Sequence, residues 1–167
     1  MGDPSRSASL RALARCVGDA DAFADHVWGR RHHLHRDPQG FEDLLTFADV
    51  DRLLSTASLR LPLFRLVRDG STIPTDRYTK RGRTGSAAMT GIADPRRIFE
   101  LFAGGATIVL QGMHRYWSPV ALLCRHLEIG LGHPTQTNAY ITPANARGLA
   151  VHEDSHDVFV LQAFGRK

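Results

Sequence analysis

Two side chains that could bind a metal stand two residues apart near the end of the sequence. His152 and Asp154 lead into an apolar, partly β-branched stretch. If this segment is a strand, both side chains point to the same side, with Cα atoms ~6.6 Å apart at ~3.3 Å per residue. An imidazole nitrogen and a carboxylate oxygen could then converge on one cation. With a histidine from elsewhere in the fold, they would form the two-histidine, one-carboxylate triad of non-heme Fe(II) oxygenases.

The third ligand of such a triad is not evident beside this pair. His156 has the same parity, but on a straight strand it would lie ~13 Å from His152 at ~3.3 Å per residue, too far for one metal. We therefore interpret His156 as a loop residue or as a side chain around the ligands. Asp157 fits a turn, or could orient a ligand. By itself the His-x-Asp pair has a simpler alternative, an exposed polar turn.

Helices are predicted for the first sixty residues and for two later segments. Leu10, Leu13 and Val17 repeat at helical spacing before Gly18, which should end that helix. Asp94-Pro95 and Ser118-Pro119 each place a proline in a first helical turn. We expect these later helices to run to residue 102 and to the break that begins at residue 130.

Short strands are predicted between and after these helices. Residues 71–89 are polar, with glycines and basic residues, and are predicted to form an exposed loop. Short strands with turn signals are typical of a sandwich or a barrel, and a jelly roll needs about eight of them. This chain has fewer, so the sheet looks cut part-way. The predicted strands are residues 61–67, 107–110, 135–141, 148–151 and 157–164.

The composition is that of an ordinary globular protein with a small positive charge. Of 167 residues, 43% are apolar and 23% charged, and the formal net charge is +4. The excess permits contact with an anionic partner such as RNA or a ribosomal surface, although an arginine-rich composition alone accounts for it. Cys16 and Cys124 form no Cys-x-x-Cys, which argues against a disulfide framework or a cysteine zinc site. With no signal peptide or membrane span predicted, we expect a cytoplasmic protein.

Residues 150–167 resemble the metal-binding motif of the Jumonji-C ribosomal oxygenases, a cupin-like family of Fe(II)- and 2-oxoglutarate-dependent protein hydroxylases. The family motif is similar to H-x-D-x-x-D-x-F-x-x-Q-x-x-G-[KR]-[KR]. Further similarity lies in the Asn-x-Tyr-x-Thr-Pro segment at 138–143, in residues 105–117 and around Trp28. The resemblance covers roughly residues 20–167. The matching residues of the first motif are His152, Asp154, Asp157, Phe159, Gln162, Gly165, Arg166 and Lys167.

The resemblance implies roles for five residues. His152 and Asp154 are implied to bind Fe(II). Lys167 is implied to pair with the distal carboxylate of 2-oxoglutarate, and a charge-assisted bond of this kind is about twice as strong as a neutral one. Asn138 and Tyr140 are implied to lie near the same cosubstrate. Two alternatives stay open: Lys167 as an ordinary solvated lysine, and Asn138 as a turn or ladder residue. No further catalytic residue is assigned.

The same resemblance implies a fold class. We expect an α+β protein in which a helical N-terminal region, residues 1–60, leads into a double-stranded β-helix, the jelly roll of cupins, at residues 61–167. This β-helix is expected to be incomplete at the C-terminus, because the family's distal histidine ligand would lie beyond residue 167. The chain is then expected to hold two of three metal ligands and not to be a competent oxygenase by itself.

The implied function is hydroxylation of a protein side chain, with a ribosomal protein as the implied partner. We expect no membrane contact and no direct nucleic-acid binding, whereas uncovered apolar strand faces would favour a homodimer. Two alternatives remain. One is a cupin-type metal protein of another class, which would not turn over 2-oxoglutarate. The other is a non-catalytic fragment or interaction protein.

Overall fold

The computed structural model describes residues 4–166, and their contacts divide the chain into two units whose segments alternate along the sequence. Unit 1 contains the described residues of 1–46, 114–136 and 154–167, and unit 2 contains residues 47–113 and 137–153. Two later segments therefore pack with the N-terminal helices in unit 1. The division into domains at residues 1–60 and 61–167 stays a prediction.

The described residues form a mixed helix-and-sheet structure. Two short 3-10 helices, Thr75–Arg77 and Met113–Arg115, join the longer elements. No helix among residues 4–166 is long and apolar enough to cross a membrane. In chain order the helices are α1 (Pro4–Val17), α2 (Ala20–His26), α3 (Phe47–Ser55), α4 (Pro95–Ala103) and α5 (Ser118–Leu131), and the strands are β1 (Phe64–Arg68), β2 (Ser71–Thr72), β3 (Thr79–Thr84), β4 (Ala87–Ala93), β5 (Thr107–Leu110) and β6 (Ala139–Ile141).

Helices α1, α2 and α5 surround one apolar core in unit 1. Gly18 ends α1 as predicted, with a φ of +82° that glycine adopts without strain. Burial raises the pKa of the Cys16 thiol to about 11, so this cysteine stays protonated at neutral pH and behaves as a small packing residue. The buried side chains of the core are Leu13, Val17, Phe23, Val27 and Leu127.

One arginine holds the loop after α2 against α1. Arg15 donates from Nη1 to Oδ2 of Asp43 at 3.0 Å, from Nε to Oδ2 of Asp37 at 3.3 Å, and from Nη2 to the carbonyl of Gly40. Its guanidinium also lies 4.7 Å from the centroid of the Phe41 ring, within cation–π range. The hydrogen bond from Arg15 lowers the pKa of Asp43. A single side chain thus fixes a loop that is distant in sequence.

The larger sheet of unit 2 has the order β2-β1-β5-β6, and each neighbouring pair is antiparallel. β5 is an inner strand, and all four of its residues are buried. This agrees with the strand predicted at residues 107–110. The register of β5 runs from Phe64↔Leu110 to Val67↔Thr107 against β1, and from Ile108↔Ile141 to Leu110↔Ala139 against β6.

A second sheet of unit 2 is the hairpin formed by β3 and β4. Its turn is Gly85-Ser86, in which only Gly85 has a positive φ, +59°, as in a type II′ turn. The prediction of an exposed loop over residues 71–89 is therefore wrong, because its polar side chains lie on an exposed hairpin. Glycine followed by serine between two extended stretches is the sequence signal that indicates this turn.

No strand follows β6 in residues 142–166. The predictions of strands at 148–151 and 157–164 are therefore wrong in this structure. A strand requires a neighbour that exchanges backbone hydrogen bonds with it, and no described segment pairs with either stretch. β6 itself is shorter than the predicted 135–141. The helices and the antiparallel sheet agree with a mixed α and β class, whereas the double-stranded β-helix stays a prediction.

The N-cap of α4 offers a test of the local structure. Oδ1 of Asp94 accepts a hydrogen bond from the backbone N–H of Arg97 at 3.3 Å. We expect Asp94→Ala to lower the free energy of unfolding by about 1 kcal/mol, because it removes this acceptor. Asp94→Ser keeps a capping oxygen and should cost clearly less. Urea denaturation of the three proteins measures the difference, and an equal cost for both variants would contradict the capping role.

Candidate metal centre

The chain that leads to His152 packs over β5 in unit 2. Oγ1 of Thr142 lies 2.9 Å from Oγ1 of Thr107, so a hydrogen bond ties the start of this segment to the inner strand. Gly148 lies over the same pair, since a Cβ at this position would be 3.3 Å from Oγ1 of Thr142 and 3.4 Å from Oγ1 of Thr107. The missing side chain lets the backbone lie close to the sheet.

Two residues before His152, the segment contacts the turn between β1 and β2. Gly70 has a φ of +78°, and a Cβ built on it would lie 2.9 Å from the Cβ of Ala150. Glycine alone combines this backbone conformation with so close an approach. Asp69-Gly70 is predictable from sequence as a turn, but its contact with Ala150 is not. This contact sets where the backbone stands just before His152.

The imidazole of His152 is oriented by its own backbone neighbourhood. Nδ1 lies 2.9 Å from the carbonyl oxygen of Ala150. Because a carbonyl oxygen only accepts hydrogen bonds, Nδ1 is the donor in this contact, and in the neutral imidazole the lone pair is then on Nε2. Metal-binding histidines usually have this arrangement, with one ring N–H donated to a carbonyl or a carboxylate and the other nitrogen bound to the metal. His152 is exposed, in a segment without a strand.

Asp154 belongs to unit 1 and is also exposed. The strand that was expected to direct His152 and Asp154 to one face is not formed, so that part of the prediction is corrected. The chain beyond Asp154 is held by Phe159, whose ring centroid lies 6.2 Å from that of Phe23 and 6.1 Å from that of Trp28. Phe159, a residue of the recognised motif, is therefore a packing residue that anchors this segment to the core of unit 1.

Two of the three predicted cosubstrate residues, Asn138 and Tyr140, lie beside β5 in unit 2. Oδ1 of Asn138 accepts a hydrogen bond from the backbone N–H of Gly112 at 3.0 Å, which ties the chain after β5 to the chain before β6. Asn138 thus has a structural contact, as expected if it is a turn or ladder residue. Tyr140 is 50% exposed in β6, whereas the next residue, Ile141, is buried. The cosubstrate roles of Asn138 and Tyr140 stay predictions.

Sequence reasoning missed a cation on the same sheet face as Tyr140. Arg65 and Tyr140 both stand directly opposite Val109 in the ladders of β1 and β6, and opposite residues share a face. Nε of Arg65 donates to Oε1 of Gln111 at 2.8 Å, and Nε2 of Gln111 donates to the carbonyl of Pro62 at 2.9 Å. The pairing of β1 with β5, which spans 46 residues of sequence between Arg65 and Gln111, creates this polar row.

The donor set in the described part of the chain is incomplete for a metal. No group of three histidine, cysteine, aspartate or glutamate side chains within residues 4–166 is arranged to hold an ion. His156 and Asp157 are exposed and do not complete a set. Lys167 lies outside the described residues. An imidazole nitrogen and a carboxylate are donor types that suit Fe(II), and the roles of His152 and Asp154 as ligands stay predictions.

Known proteins share the motif region. Residues 114–167 match the model of the JmjC domain. Ribosomal oxygenase 1 from Homo sapiens is 28% identical over 149 residues, which are 88% of this chain and 22% of that protein. The bifunctional lysine-specific demethylase and histidyl-hydroxylase NO66 from Dictyostelium discoideum is 36% identical over 151 residues, 87% of this chain and 27% of that protein. Ribosomal oxygenase 2 from Bos taurus is 39% identical over 62 residues, 37% of this chain and 13% of that protein.

These matches show that the chain carries JmjC-domain sequence. The chain belongs, more narrowly, to the JmjC ribosomal oxygenase family, which confirms the resemblance drawn from its motifs. It spans about a quarter of the length of the relatives that it matches over most of its own sequence, 22% to 27% in the two examples above.

The contact between Gly70 and Ala150 can be tested by substitution and rescue. Gly70→Ala introduces a Cβ 2.9 Å from that of Ala150 at a positive φ, and Gly132→Ala is the matched control, with a left-handed φ of +71° and no heavy atom within 4 Å of the new Cβ. Both variants should lose about 1–2 kcal/mol of stability from backbone strain. We expect Gly70→Ala to lose about 1–3 kcal/mol more from overpacking.

The double variant Gly70→Ala with Ala150→Gly should recover most of that additional loss, because it removes the second methyl group. Urea denaturation measures all four proteins. If the double variant is no more stable than Gly70→Ala alone, the packing contact does not position the segment before His152.

Proposed function

We propose that this chain supplies the metal- and cosubstrate-binding part of an Fe(II)- and 2-oxoglutarate-dependent oxygenase that hydroxylates a protein side chain. The observation that carries the proposal is the motif from His152 to Lys167, which lies inside the region matched by the JmjC domain. The hydrogen bond at Nδ1 of His152 supports it, since the lone pair is then on Nε2. The proposed fold around the motif is a double-stranded β-helix.

Nε2 of His152 and the carboxylate of Asp154 are the proposed ligands. A histidine nitrogen and a carboxylate oxygen are the donors that non-heme Fe(II) takes, with a second histidine as the third. The bound metal would supply the dioxygen chemistry, with 2-oxoglutarate as the cosubstrate. The chain's own contribution is to fix the proton of His152 at Nδ1 through the carbonyl of Ala150, and to offer a carboxylate two residues later.

Lys167, Tyr140 and Asn138 are the proposed cosubstrate residues. The ammonium group of Lys167 suits the distal carboxylate of 2-oxoglutarate, since a charge-assisted hydrogen bond is strong. Tyr140 presents a half-exposed phenol on the face that also carries Arg65, so a hydroxyl and a cation stand on one side of the sheet. Asn138 uses its oxygen for Gly112, and its NH2 group has two donors for a carboxylate.

The proposed substrate is a side chain of a ribosomal protein. The names of the relatives support this class: two are ribosomal oxygenases, and the Dictyostelium protein is named for histidyl hydroxylation and lysine demethylation. A cytoplasmic location is part of the proposal. So is a homodimer, which the exposed apolar side chains of Val158 and Val160, at 55% and 74%, would favour.

A non-catalytic interaction role is the second candidate. It is favoured by one observation, that residues 4–166 contain no group of three metal-binding side chains. Formation of succinate from 2-oxoglutarate by an enzyme that contains this chain together with a third metal ligand separates the two candidates. An oxygenase releases succinate in an iron-dependent reaction, whereas an interaction protein or a cupin of another class does not.

The ligand role of His152 predicts a selective loss of iron affinity. In an anaerobic Fe(II) titration with 2-oxoglutarate present, His152→Ala should weaken binding by at least about tenfold, because it removes a nitrogen donor. His156→Ala is the matched control, since His156 is an exposed histidine of the same motif region that is not a proposed ligand. Equal affinities for the two variants, whether both weak or both unchanged, would refute the ligand assignment.

The role of Lys167 predicts a separation between cosubstrate and metal affinity. Lys167→Ala should raise the 2-oxoglutarate concentration needed for half-maximal binding much more than it changes Fe(II) affinity, because the ammonium group contacts the far carboxylate. Arg166→Ala removes the neighbouring positive charge and serves as the control. Titrations of both ligands measure the effect. Equal changes in both affinities, or no change, would favour an ordinary solvated lysine.

A further inference from the structure

The β3–β4 hairpin and the 3-10 turn before it carry a local excess of positive charge. Residues 75–93 contain four basic side chains and one acidic side chain, in a chain whose net charge is +4. Lys80, Arg81 and Arg83 are all exposed on β3. None of the ion pairs formed within residues 4–166 includes any of the three. Their charge is therefore not neutralised by nearby carboxylates.

The hairpin presents these cations from a fixed base. The N–H of Leu61 donates to the carbonyl of Gly91 at 2.9 Å, and the N–H of Ala93 donates to the carbonyl of Leu59 at 2.8 Å. The end of β4 is thereby fastened to unit 2, while the part of the hairpin near Gly85 carries the charge. Lys80, Arg81 and Arg83 lie within four consecutive residues of β3, so their Cα atoms stand within ~10 Å of one another at ~3.3 Å per residue, although the pairing with β4 is irregular between Lys80 and Gly82.

The side chains around the cations favour a phosphate backbone over a membrane. The exposed residues of β4 are small, namely Ala87, Ala88 and Thr90. A segment that binds a membrane surface combines its cations with large apolar or aromatic side chains that enter the lipid, and these positions have none. Small neighbours instead let extended cations reach a row of phosphates, and two-stranded ribbons are used in this way on nucleic acids.

We propose that the β3–β4 hairpin is an RNA-binding surface in which Lys80, Arg81 and Arg83 contact backbone phosphates without reading sequence. This differs from the expectation that the chain does not bind nucleic acid, because three cations that are consecutive or nearly so in the sequence lie exposed on one strand of a hairpin. The proposal rests on the charge and geometry of the hairpin and does not depend on the proposed oxygenase activity. An RNA-bearing particle that contains a protein substrate would bring both surfaces into use.

Fluorescence anisotropy with a labelled single-stranded RNA tests the proposal. The parent should bind, with an affinity that falls as salt rises. The triple variant Lys80→Gln, Arg81→Gln, Arg83→Gln should bind about tenfold more weakly at low salt, and the slope of log affinity against log salt should decrease in magnitude by about two. The exchange variant Lys80→Arg, Arg81→Lys, Arg83→Lys keeps the charges and should bind like the parent, which guards against loss of folding.

The matched control removes the same charge elsewhere. Residues 30–36 form a second basic run with three exposed arginines and no acidic residue, and the variant Arg30→Gln, Arg31→Gln, Arg36→Gln should retain affinity. An equal loss in the two triple variants would show a net-charge effect and overturn the proposal. The proposal would also be overturned if the hairpin cations were needed for binding to phosphatidylserine vesicles or poly-glutamate while the protein did not bind RNA. His152→Ala should bind RNA like the parent, so failure of the oxygenase proposal and failure of this one remain distinguishable.

Discussion

Burial of β5 on both faces is the constraint on which unit 2 depends. Every residue of Thr107–Leu110 is buried, although a strand in a two-sided sheet exposes alternate residues unless both faces are covered. One face needs apolar packing around Ile108 and Leu110. The other face carries Thr107 and Val109, and the segment from Thr142 onward covers Thr107 through a hydrogen bond. The same segment continues to His152. Its packing over β5 therefore fixes the path of the chain that leads to the candidate ligand.

Several elements could be predicted because their determinants are local. A cap and a proline define the start of α4, and a β-branched run bounded by glycines and polar residues defines β5. The hairpin β3–β4 was missed although its two-residue turn is also local, because the polar and charged side chains around it suggested a loop. Polar composition describes what faces water and does not exclude a strand. The predictions of strands at 148–151 and 157–164 were wrong because a segment with a strand-like sequence forms a strand only when a neighbouring strand pairs with it.

The candidate site likewise has residues that a local motif indicates and others that only the fold brings together. The pairing of His152 with Asp154 and the roles proposed for Asn138, Tyr140 and Lys167 came from a linear motif. The sequence contains no local sign of Arg65, which joins Tyr140 only through the ladders on either side of Val109. Phe159 is recognisable as a motif residue, yet its packing against Phe23 and Trp28 depends on a helix more than 120 residues earlier in the numbering.

Ala150 connects the packing of unit 2 with the chemistry proposed for His152. Its Cβ stands where only a glycine at position 70 leaves room, and its carbonyl oxygen accepts a hydrogen bond from Nδ1 of His152. Displacement of the Ala150 backbone would therefore alter the imidazole orientation and the tautomer together, because a neutral histidine that loses its acceptor at Nδ1 has no preference for keeping the lone pair on Nε2. The tautomer of His152 that is proposed to bind a metal therefore depends on how closely two backbones approach at Gly70, and not on the imidazole alone.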